Sequence, residues 1–254
     1  MLRPVGRLAV LGGAVAALVL GVTGPAFAVA DGVPAQPGQY QFSVKLTMTN
    51  IPLPDGSTYN SACSAALVTD QWIITAGHCF HDVNRNPVSG PVPYATTATL
   101  GVVDLADPGA EVVDVVSVRQ SPSNDIALAE LARPVTDLPT LALSQGKPKK
   151  GEILRIAGWG ADNSVDPVPG THLTTGQVQV SSVRTGTVGV HGYAPSPDTS
   201  ACLYDSGAPY FLERVGQAPL LVSVESTGPD CPHDQEETTS RVDTIINWIN
   251  QVTG

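Results

Sequence analysis

The stretch that decides the fold is Trp72-Ile-Ile-Thr-Ala-Gly-His78-Cys79, an apolar run that stops at a histidine beside a cysteine. Short apolar runs bounded by turn residues are typical of buried strands. Similar runs recur along the chain with turn residues between them, which favours an all-β sandwich or barrel. These runs are residues 42–47, 65–68, 72–75, 98–103, 112–118, 126–131, 153–157, 176–183, 187–190 and 220–224.

Two further segments carry residues that could do chemistry. Ser123-Asn-Asp125-Ile-Ala-Leu places an acid just before a predicted strand. Cys202-Leu-Tyr-Asp-Ser206-Gly-Ala-Pro209 places a serine in a tight turn. Each feature alone has an ordinary structural explanation, but together, in the order His78, Asp125, Ser206, they indicate nucleophilic catalysis.

The three segments resemble the T-A-A-H-C, N-D-I-x-L and G-D-S-G-G-P blocks of the trypsin family of serine proteases. Gly158-Trp-Gly160 resembles the family's G-W-G segment, and Val29-Ala-Asp-Gly resembles its mature N-terminus. The resemblance spans the whole chain after residue 28. It implies two six-stranded antiparallel β-barrels of the chymotrypsin type, with the site in the cleft between them.

The resemblance also implies a role for each residue. A serine hydroxyl is a poor nucleophile at neutral pH, so an imidazole must take its proton during attack on a carbonyl. His78 would be that base and would return the proton to the leaving amine. Asp125 would hold the histidine tautomer, and Ser206 would form the acyl-enzyme. Ser226 is expected to support Asp125 through its hydroxyl and to pair with substrate through its backbone.

The serine segment departs from the family pattern at two positions. Tyr204 stands where the family has glycine, and its N–H would form the oxyanion hole together with that of Ser206. The donor survives, but tyrosine lacks the conformational freedom of glycine. If that N–H turned away, the rate would fall on the order of a hundredfold or more. Ala208 replaces another family glycine, which is a smaller change.

The specificity pocket differs as well. By the same resemblance, Ser200 is expected at its base and Gly228 at its mouth. Glu237 falls where the family usually has a glycine on the pocket wall, and Glu225 falls just before Ser226. Glutamates lining the pocket would pair with Lys or Arg, so cleavage after those residues is expected. The alternative is that both glutamates face solvent in a misaligned loop.

Four cysteines, Cys63, Cys79, Cys202 and Cys231, allow three pairings. In an oxidising compartment two disulfides are expected. A zinc site is the alternative, although no pair has C-x-x-C spacing. The resemblance implies a Cys63–Cys79 bridge beside the histidine and a Cys202–Cys231 bridge from the serine loop to the pocket wall.

The first 28 residues have the features of a secretory signal peptide. Arg3 and Arg7 are basic, residues 8–22 are apolar, and Ala26-Phe-Ala28 is a small-x-small cleavage site. The apolar run is too short and too weakly apolar for a membrane anchor. We therefore expect a secreted, extracellular protein with a protease domain over residues 29–254.

Cleavage after Ala28 would make Val29 the first residue, at the position of the family's mature start. In the family, the new α-ammonium pairs with the aspartate before the nucleophile, here Asp205, and orders the site. The sequence leaves no room for a propeptide, so this cleavage would create the active enzyme directly. A cut after Ala30 would place Asp31 first, and an acid could not enter beside Asp205. A loose, unpaired terminus is the alternative.

Two barrels are expected at about 29–140 and about 152–238, with a linker at 141–151 that is rich in Lys, Gly and Pro. A single C-terminal helix is expected at about 241–251, because apolar residues recur there at helical spacing. Ser240 and Asp243 resemble its capping box. We expect this helix to pack against the barrel without a catalytic role.

Composition narrows the choice of partners. Of 254 residues, 42% are hydrophobic, enough for a sizeable core, and only 14% are charged. The net charge is −10, and −12 without residues 1–28, which disfavours binding to nucleic acid and anionic membranes. We expect polypeptide substrates, protein inhibitors, a monomer, no membrane contact in the mature form, and neither cofactor nor metal.

Two other functions use the same residues. A catalytically weak or inactive homologue that binds proteins is suggested by Tyr204 and the altered pocket, although the intact triad argues against it. An esterase would use the same acyl-transfer chemistry on a different bond. The complete set of His78, Asp125 and Ser206 favours an active endopeptidase.

Overall fold

The computed structural model describes residues 28–254, so the expected signal peptide lies outside the described residues except for Ala28. Among these residues, no helix is both long enough and apolar enough to cross a lipid bilayer. The described chain is mostly β-strand. Its strands are β1 (Val33–Pro34), β2 (Ser43–Pro52), β3 (Thr58–Leu67), β4 (Trp72–Thr75), β5 (Gly90–Pro91), β6 (Thr96–Leu100), β7 (Glu111–Gln120), β8 (Ala127–Leu131), β9 (Ala142–Leu143), β10 (Ile153–Gly158), β11 (Thr174–Val183), β12 (Thr187–Ala194), β13 (Pro209–Leu212), β14 (Leu220–Thr227) and β15 (Glu237–Arg241).

These strands close into two antiparallel barrels. In the first, the pairing order is β7-β6-β2-β3-β4-β8, and β7 pairs with β8 to complete a ring of six. In the second, the order is β11-β10-β13-β14-β15-β12, and β11 pairs with β12. The short strands β1, β5 and β9 add to the edges. The expected pair of six-stranded chymotrypsin-type barrels is therefore confirmed.

Each barrel buries one face of its strands, as the two-residue period of a strand requires. In β7 the inward residues are Val113, Val115 and Val118, and the residues between them are exposed or half-buried. The core of the second barrel includes Val178 and Val190. Closure removes the open sheet edges that a flat sheet of the same strands would expose.

The first described residues join the second barrel. Strand β1 pairs with β11, and Ala30 forms a bridge with Ser200. Val29 is part of the second barrel's core. The first barrel was expected to span about 29–140, but the segment from Val29 to β1 packs on the second barrel instead, close to the serine loop.

The C-terminal helix, α1, spans Ile246–Thr253, so the expectation of a start near residue 241 is wrong. Arg241 belongs to β15, where it pairs with Ser223, and its guanidinium donates to Asp243. No side chain caps the helix, and the expected capping box of Ser240 and Asp243 is wrong as well. The packing is as expected, because Ile249 is buried in the core.

Candidate active site

The two barrels each contribute part of the site. His78 sits in a short 3-10 turn at Gly77–Cys79, directly after β4, and Asp125 precedes β8. Both come from the first barrel, whereas Ser206 lies in the loop before β13 of the second. The Ser64 N–H donates to the Ser206 carbonyl at 2.9 Å, which fixes the serine loop against the first barrel.

A continuous line of hydrogen bonds joins the three side chains. His78 Nε2 lies 2.8 Å from Ser206 Oγ, and His78 Nδ1 lies 2.8 Å from Asp125 Oδ2. The His78 backbone N–H donates to Asp125 Oδ1 at 2.8 Å. Ser226 Oγ donates to Asp125 Oδ2 at 2.6 Å, the support expected of it. The arrangement lets the imidazole accept the serine proton while its other nitrogen donates to a carboxylate.

The carboxylate at the end of this line remains ionised. Burial alone would raise the pKa of Asp125, but hydrogen bonds from His78 and Ser226 outweigh it, and the pKa falls below its ordinary value. A charged Asp125 favours the Nδ1–H tautomer of His78, which leaves Nε2 as the acceptor that faces Ser206.

The histidine turn is fixed by a residue that the sequence did not suggest. Gln120 Nε2 donates to the carbonyls of Gly77 and Phe80, at 2.9 and 3.1 Å. The Cys63–Cys79 disulfide ties the end of the same turn to β3. Both contacts hold the His78 backbone. Of the two, only the disulfide was predicted from sequence.

The serine loop has a positive φ at Tyr204 as well as at Gly207. Tyr204 has φ +74°, in the left-handed region that favours glycine. Gly207 follows at φ +83°, where a side chain would collide with Thr75. Within residues 28–254 the N–H groups of Tyr204 and Ser206 donate to no backbone carbonyl.

Asp205 is fully buried beneath this loop. Its carboxylate accepts the N–H groups of Gly160, at 2.8 Å, and Cys202, at 3.0 Å. The Val29 amide also donates to it, at 3.3 Å, so the expected partners are in contact in the uncleaved chain. Burial raises the pKa of Asp205 to about 7, although these hydrogen bonds lower it.

A cavity of about 190 Å³ opens beside Ser206, and we call it the Gly228 cavity. Its lining includes Ala201, Tyr204, Glu225, Ser226 and Gly228. Glu237 is not part of the lining, but it lies directly behind it. The Ala201 N–H donates to Glu237 Oε1 at 2.5 Å, and a Cβ on Gly228 would stand 3.1 Å from Glu237 Cγ.

Both glutamates are buried, so the alternative that they face solvent is wrong. Glu225 is 4% exposed and Glu237 is 1% exposed. They lie on neighbouring strands and meet at one group, the Tyr210 hydroxyl, which is 3.0 Å from Glu225 Oε2 and 2.7 Å from Glu237 Oε2. Burial raises the pKa of Glu237 to about 7 and the pKa of Glu225 well above its ordinary value.

Ser200 does not reach the Gly228 cavity. It is buried, and its hydroxyl donates to the Asp198 carbonyl at 3.1 Å and accepts the His233 N–H at 3.2 Å. Its hydroxyl is therefore engaged by its own loop and by the segment that carries His233. Neither Tyr210 nor His233 was singled out from sequence, because nothing in their local segments distinguishes them.

A second cavity of about 130 Å³, here the Ser61 cavity, lies on the other side of Tyr204. Its lining includes Ser61, Ala62, His78 and Ser206 as well as Tyr204 itself. Leu203, Tyr204 and Ser206 line both cavities, and the Tyr204 hydroxyl lies 3.5 Å from the Pro167 carbonyl.

Both expected disulfides are present, Cys63–Cys79 and Cys202–Cys231, so the cysteines are not available as zinc ligands. The second bridge joins the serine loop to the segment that carries His233. In residues 28–254 there is no cluster of three or more His, Cys, Asp or Glu side chains suited to a metal ion.

Comparison with known proteins extends these observations. The sequence pattern of the Trypsin family matches residues 29–249. Transmembrane protease serine 11G of Rattus norvegicus is 26% identical over 258 residues, covering 92% of this chain and 58% of that protein. Serine protease 56 of Homo sapiens is 27% identical over 248 residues, covering 88% and 38%. Serine protease SSP1 of Scolopendra subspinipes is 24% identical over 249 residues, covering 89% and 83%.

Most of these relatives are longer than the region they share with this chain. The chain spans little more than half of transmembrane protease serine 11G from rat and mouse, at 58% and 56%. The shared region includes both barrels and every residue of the candidate site, since the family match begins at Val29 and ends at Ile249.

Proposed function

The chain belongs to the trypsin family of serine proteases, and from that premise we propose that it is a secreted serine endopeptidase. Its triad would be His78, Asp125 and Ser206. The observation that carries the proposal is the line of hydrogen bonds Ser206–His78–Asp125, each 2.8 Å long. Attack of a serine hydroxyl on a peptide carbonyl needs activation of this kind.

Each step of peptide hydrolysis would then be carried out by a named residue. His78 takes the Ser206 proton as Oγ attacks the carbonyl, and it returns that proton to the leaving amine. The N–H groups of Tyr204 and Ser206 would stabilise the oxyanion, a contribution on the order of a hundredfold per donor. Water then attacks the acyl-enzyme with His78 again acting as base, which regenerates Ser206.

Secretion forms part of this proposal. It is supported by the composition of residues 1–28 and by two disulfides, which persist in oxidising compartments. We further propose that the mature protein acts as a monomer on polypeptide substrates and is open to protein inhibitors.

Two rates measured on the purified protein test the proposal. Turnover of a peptide amide and of the matching ester should both be detectable, and both should respond to the same inhibitors. Ester turnover without amide turnover would identify an esterase instead. Turnover of neither would favour a protein-binding homologue, the second candidate, for which Tyr204 at φ +74° is the specific observation.

We expect cleavage after Lys or Arg, because no lysine or arginine of residues 28–254 pairs with the buried carboxylates beside the Gly228 cavity. Glu237→Gln should lower that preference by more than about tenfold, the scale of a desolvated charge pair. A cleavage profile on a peptide library measures both. Dominant cleavage after Phe, Tyr or Leu would show that the glutamates do not set specificity.

Tyr204 is expected to exclude rigid protein inhibitors, because it lines both cavities beside Ser206, whereas small chromogenic substrates should pass it. Tyr204→Gly should tighten inhibitor binding on the order of tenfold, or about 1.4 kcal/mol. Turnover of a small substrate should rise less. Inhibition constants and kcat/KM for the same variants give the comparison.

Tyr204→Ala is the matched control, since it removes the ring but keeps an L-residue at positive φ, at a cost of about 1–2 kcal/mol relative to glycine. It should match Tyr204→Gly in inhibitor binding and be less stable. Equal gains in inhibitor binding and turnover would point instead to an oxyanion hole damaged by Tyr204.

A further inference from the structure

Three adjacent strands bring one tyrosine between two carboxyl groups behind the Gly228 cavity. Tyr210 lies on β13, Glu225 on β14 and Glu237 on β15. The Tyr210 hydroxyl is within hydrogen-bond distance of both glutamates, at 3.0 and 2.7 Å. All three side chains are buried, and of the three only Glu225 also lines the Gly228 cavity.

The number of protons available for hydrogen bonds limits how many of the two glutamates can be ionised. A tyrosine hydroxyl carries a single proton, so it can donate to one carboxylate only. Two ionised carboxylates would leave one facing the lone pairs of the Tyr210 oxygen without a donor. The other carboxyl must therefore hold a proton and donate it to that oxygen.

The remaining contacts decide which glutamate is the acid. Glu237 Oε1 accepts the Ala201 N–H at 2.5 Å, so its carboxylate has a second donor besides Tyr210. The Glu225 side chain has only Tyr210 as a hydrogen-bond partner in the described part of the chain. Donors stabilise the ionised form, which favours charge on Glu237 and a proton on Glu225.

We propose that Glu225 is a carboxylic acid that donates to Tyr210, that Tyr210 donates to Glu237, and that Glu237 alone supplies the negative charge recognised by Lys or Arg. The specificity part of this proposal rests on the proposed endopeptidase function. Glu225 and Tyr210 are then positioning residues, whereas the charge itself sits behind Ala201 and Gly228.

The other ionisable groups around Glu237 leave its charge uncompensated. His233 Nε2 lies 3.5 Å from Glu237 Oε1, but burial lowers the pKa of His233, so the ring is neutral. Asp205 raises the pKa of both glutamates, and Asp125 raises that of Glu225 further. No lysine or arginine of residues 28–254 pairs with either glutamate, and a buried carboxylate of this kind gains most from a cationic ligand.

The arrangement makes the preference for Lys or Arg depend on pH. Burial raises the pKa of Glu237 to about 7, so the group loses its charge as pH falls through that value. The ratio of kcat/KM for a Lys or Arg substrate to that for a Leu substrate should therefore fall below about pH 7 and level off above it. Taking the ratio cancels the titration of the general base, which both substrates share.

Two glutamine variants form the matched test. In Glu225→Gln, the amide N–H₂ can donate to Tyr210 as the proposed acid does, so the ratio should keep its pH dependence. In Glu237→Gln the ratio should fall more than about tenfold and become flat with pH. The reverse pattern, with Glu225→Gln losing the preference and Glu237→Gln keeping it, would overturn the assignment.

Infrared spectroscopy tests the proton without any activity. The difference spectrum between the parent protein and Glu225→Gln at neutral pH should contain the carbonyl stretch of a protonated carboxylic acid. Absence of that band would overturn the proposal. A protein that shows the band but hydrolyses no substrate would instead disprove the proposed function while the proton arrangement stands.

Discussion

Ser206→Ala is expected to reduce hydrolysis on the order of a millionfold, to a residual rate roughly a thousandfold or more above that without enzyme. Removal of the nucleophile from a comparable Ser-His-Asp site has an effect of this size, because the triad acts as a unit. The substitution removes one half-buried hydroxyl whose partner is His78, so little packing changes. Initial rates on a peptide amide, measured at enzyme concentrations high enough to detect residual turnover, give the value.

Two observations are needed beside that rate. The Ser206→Ala protein must show the parent's circular dichroism and thermal transition, so that loss of activity is not loss of fold. Near-full activity in the folded variant would contradict the mechanism, because no second nucleophile has been assigned at this site. A comparable loss in Asp125→Asn, on the order of ten-thousandfold, would show that the tautomer of His78 matters as the geometry implies.

Protein that starts at Val29 should be on the order of a hundredfold or more active than protein that starts at Ala28. In the uncleaved chain the Val29 nitrogen is a neutral amide, and it already lies 3.3 Å from Asp205 Oδ2. An α-ammonium at that place would neutralise a fully buried carboxylate, and an unpartnered buried charge costs about 3–5 kcal/mol. Kinetics on the two forms, each verified by N-terminal sequencing, make the comparison.

The comparison of the two forms tests the charge on the Val29 nitrogen, because the structure has room for Ala28. Its side chain is buried, and its backbone N–H donates to Thr174 Oγ1 at 2.8 Å, so one more residue fits. Asp205→Asn should abolish the difference between the two forms, since it removes the ammonium's partner. Equal activity of the Val29 and Ala28 forms would show that the terminus does not switch the enzyme on. Secreted protein beginning at Asp31 would exclude this mode of activation.

The sequence predicted the barrels well because their strands bury one or both faces. All ten apolar runs overlap a strand, and one of them coincides with β4 (Trp72–Thr75). It missed β13 (Pro209–Leu212), a run of only four residues directly after the serine loop, and β15 (Glu237–Arg241). Strand β15 reads Glu-Thr-Thr-Ser-Arg and has no apolar residue, yet it is almost wholly buried because polar side chains find partners there. Thr239, for example, donates to Ser223.

The C-terminal helix was misplaced for a related reason. The helical spacing of apolar residues in 241–251 correctly predicts which face of the helix is buried. It cannot show that Arg241 pairs with β14 as part of strand β15. A strand pairing between residues far apart in sequence took precedence over a local pattern.

The reacting residues were predictable and their surroundings were not. His78, Asp125 and Ser206 stand in segments with family blocks, so their approach to one another could be anticipated. The meeting of Glu225, Tyr210 and Glu237 depends on the register of three strands, which no short segment encodes. Ser200 was expected in the pocket, whereas its hydroxyl donates to the Asp198 carbonyl and accepts the His233 N–H.

The most direct test of the account is to label the purified protein with a fluorophosphonate and to map the adduct by peptide mass spectrometry. A serine activated by His78 should react once per molecule, at Ser206, and the Ser206→Ala protein should remain unmodified. No adduct on the folded parent protein, or an adduct at any other residue, would contradict the assignment of Ser206 as the nucleophile.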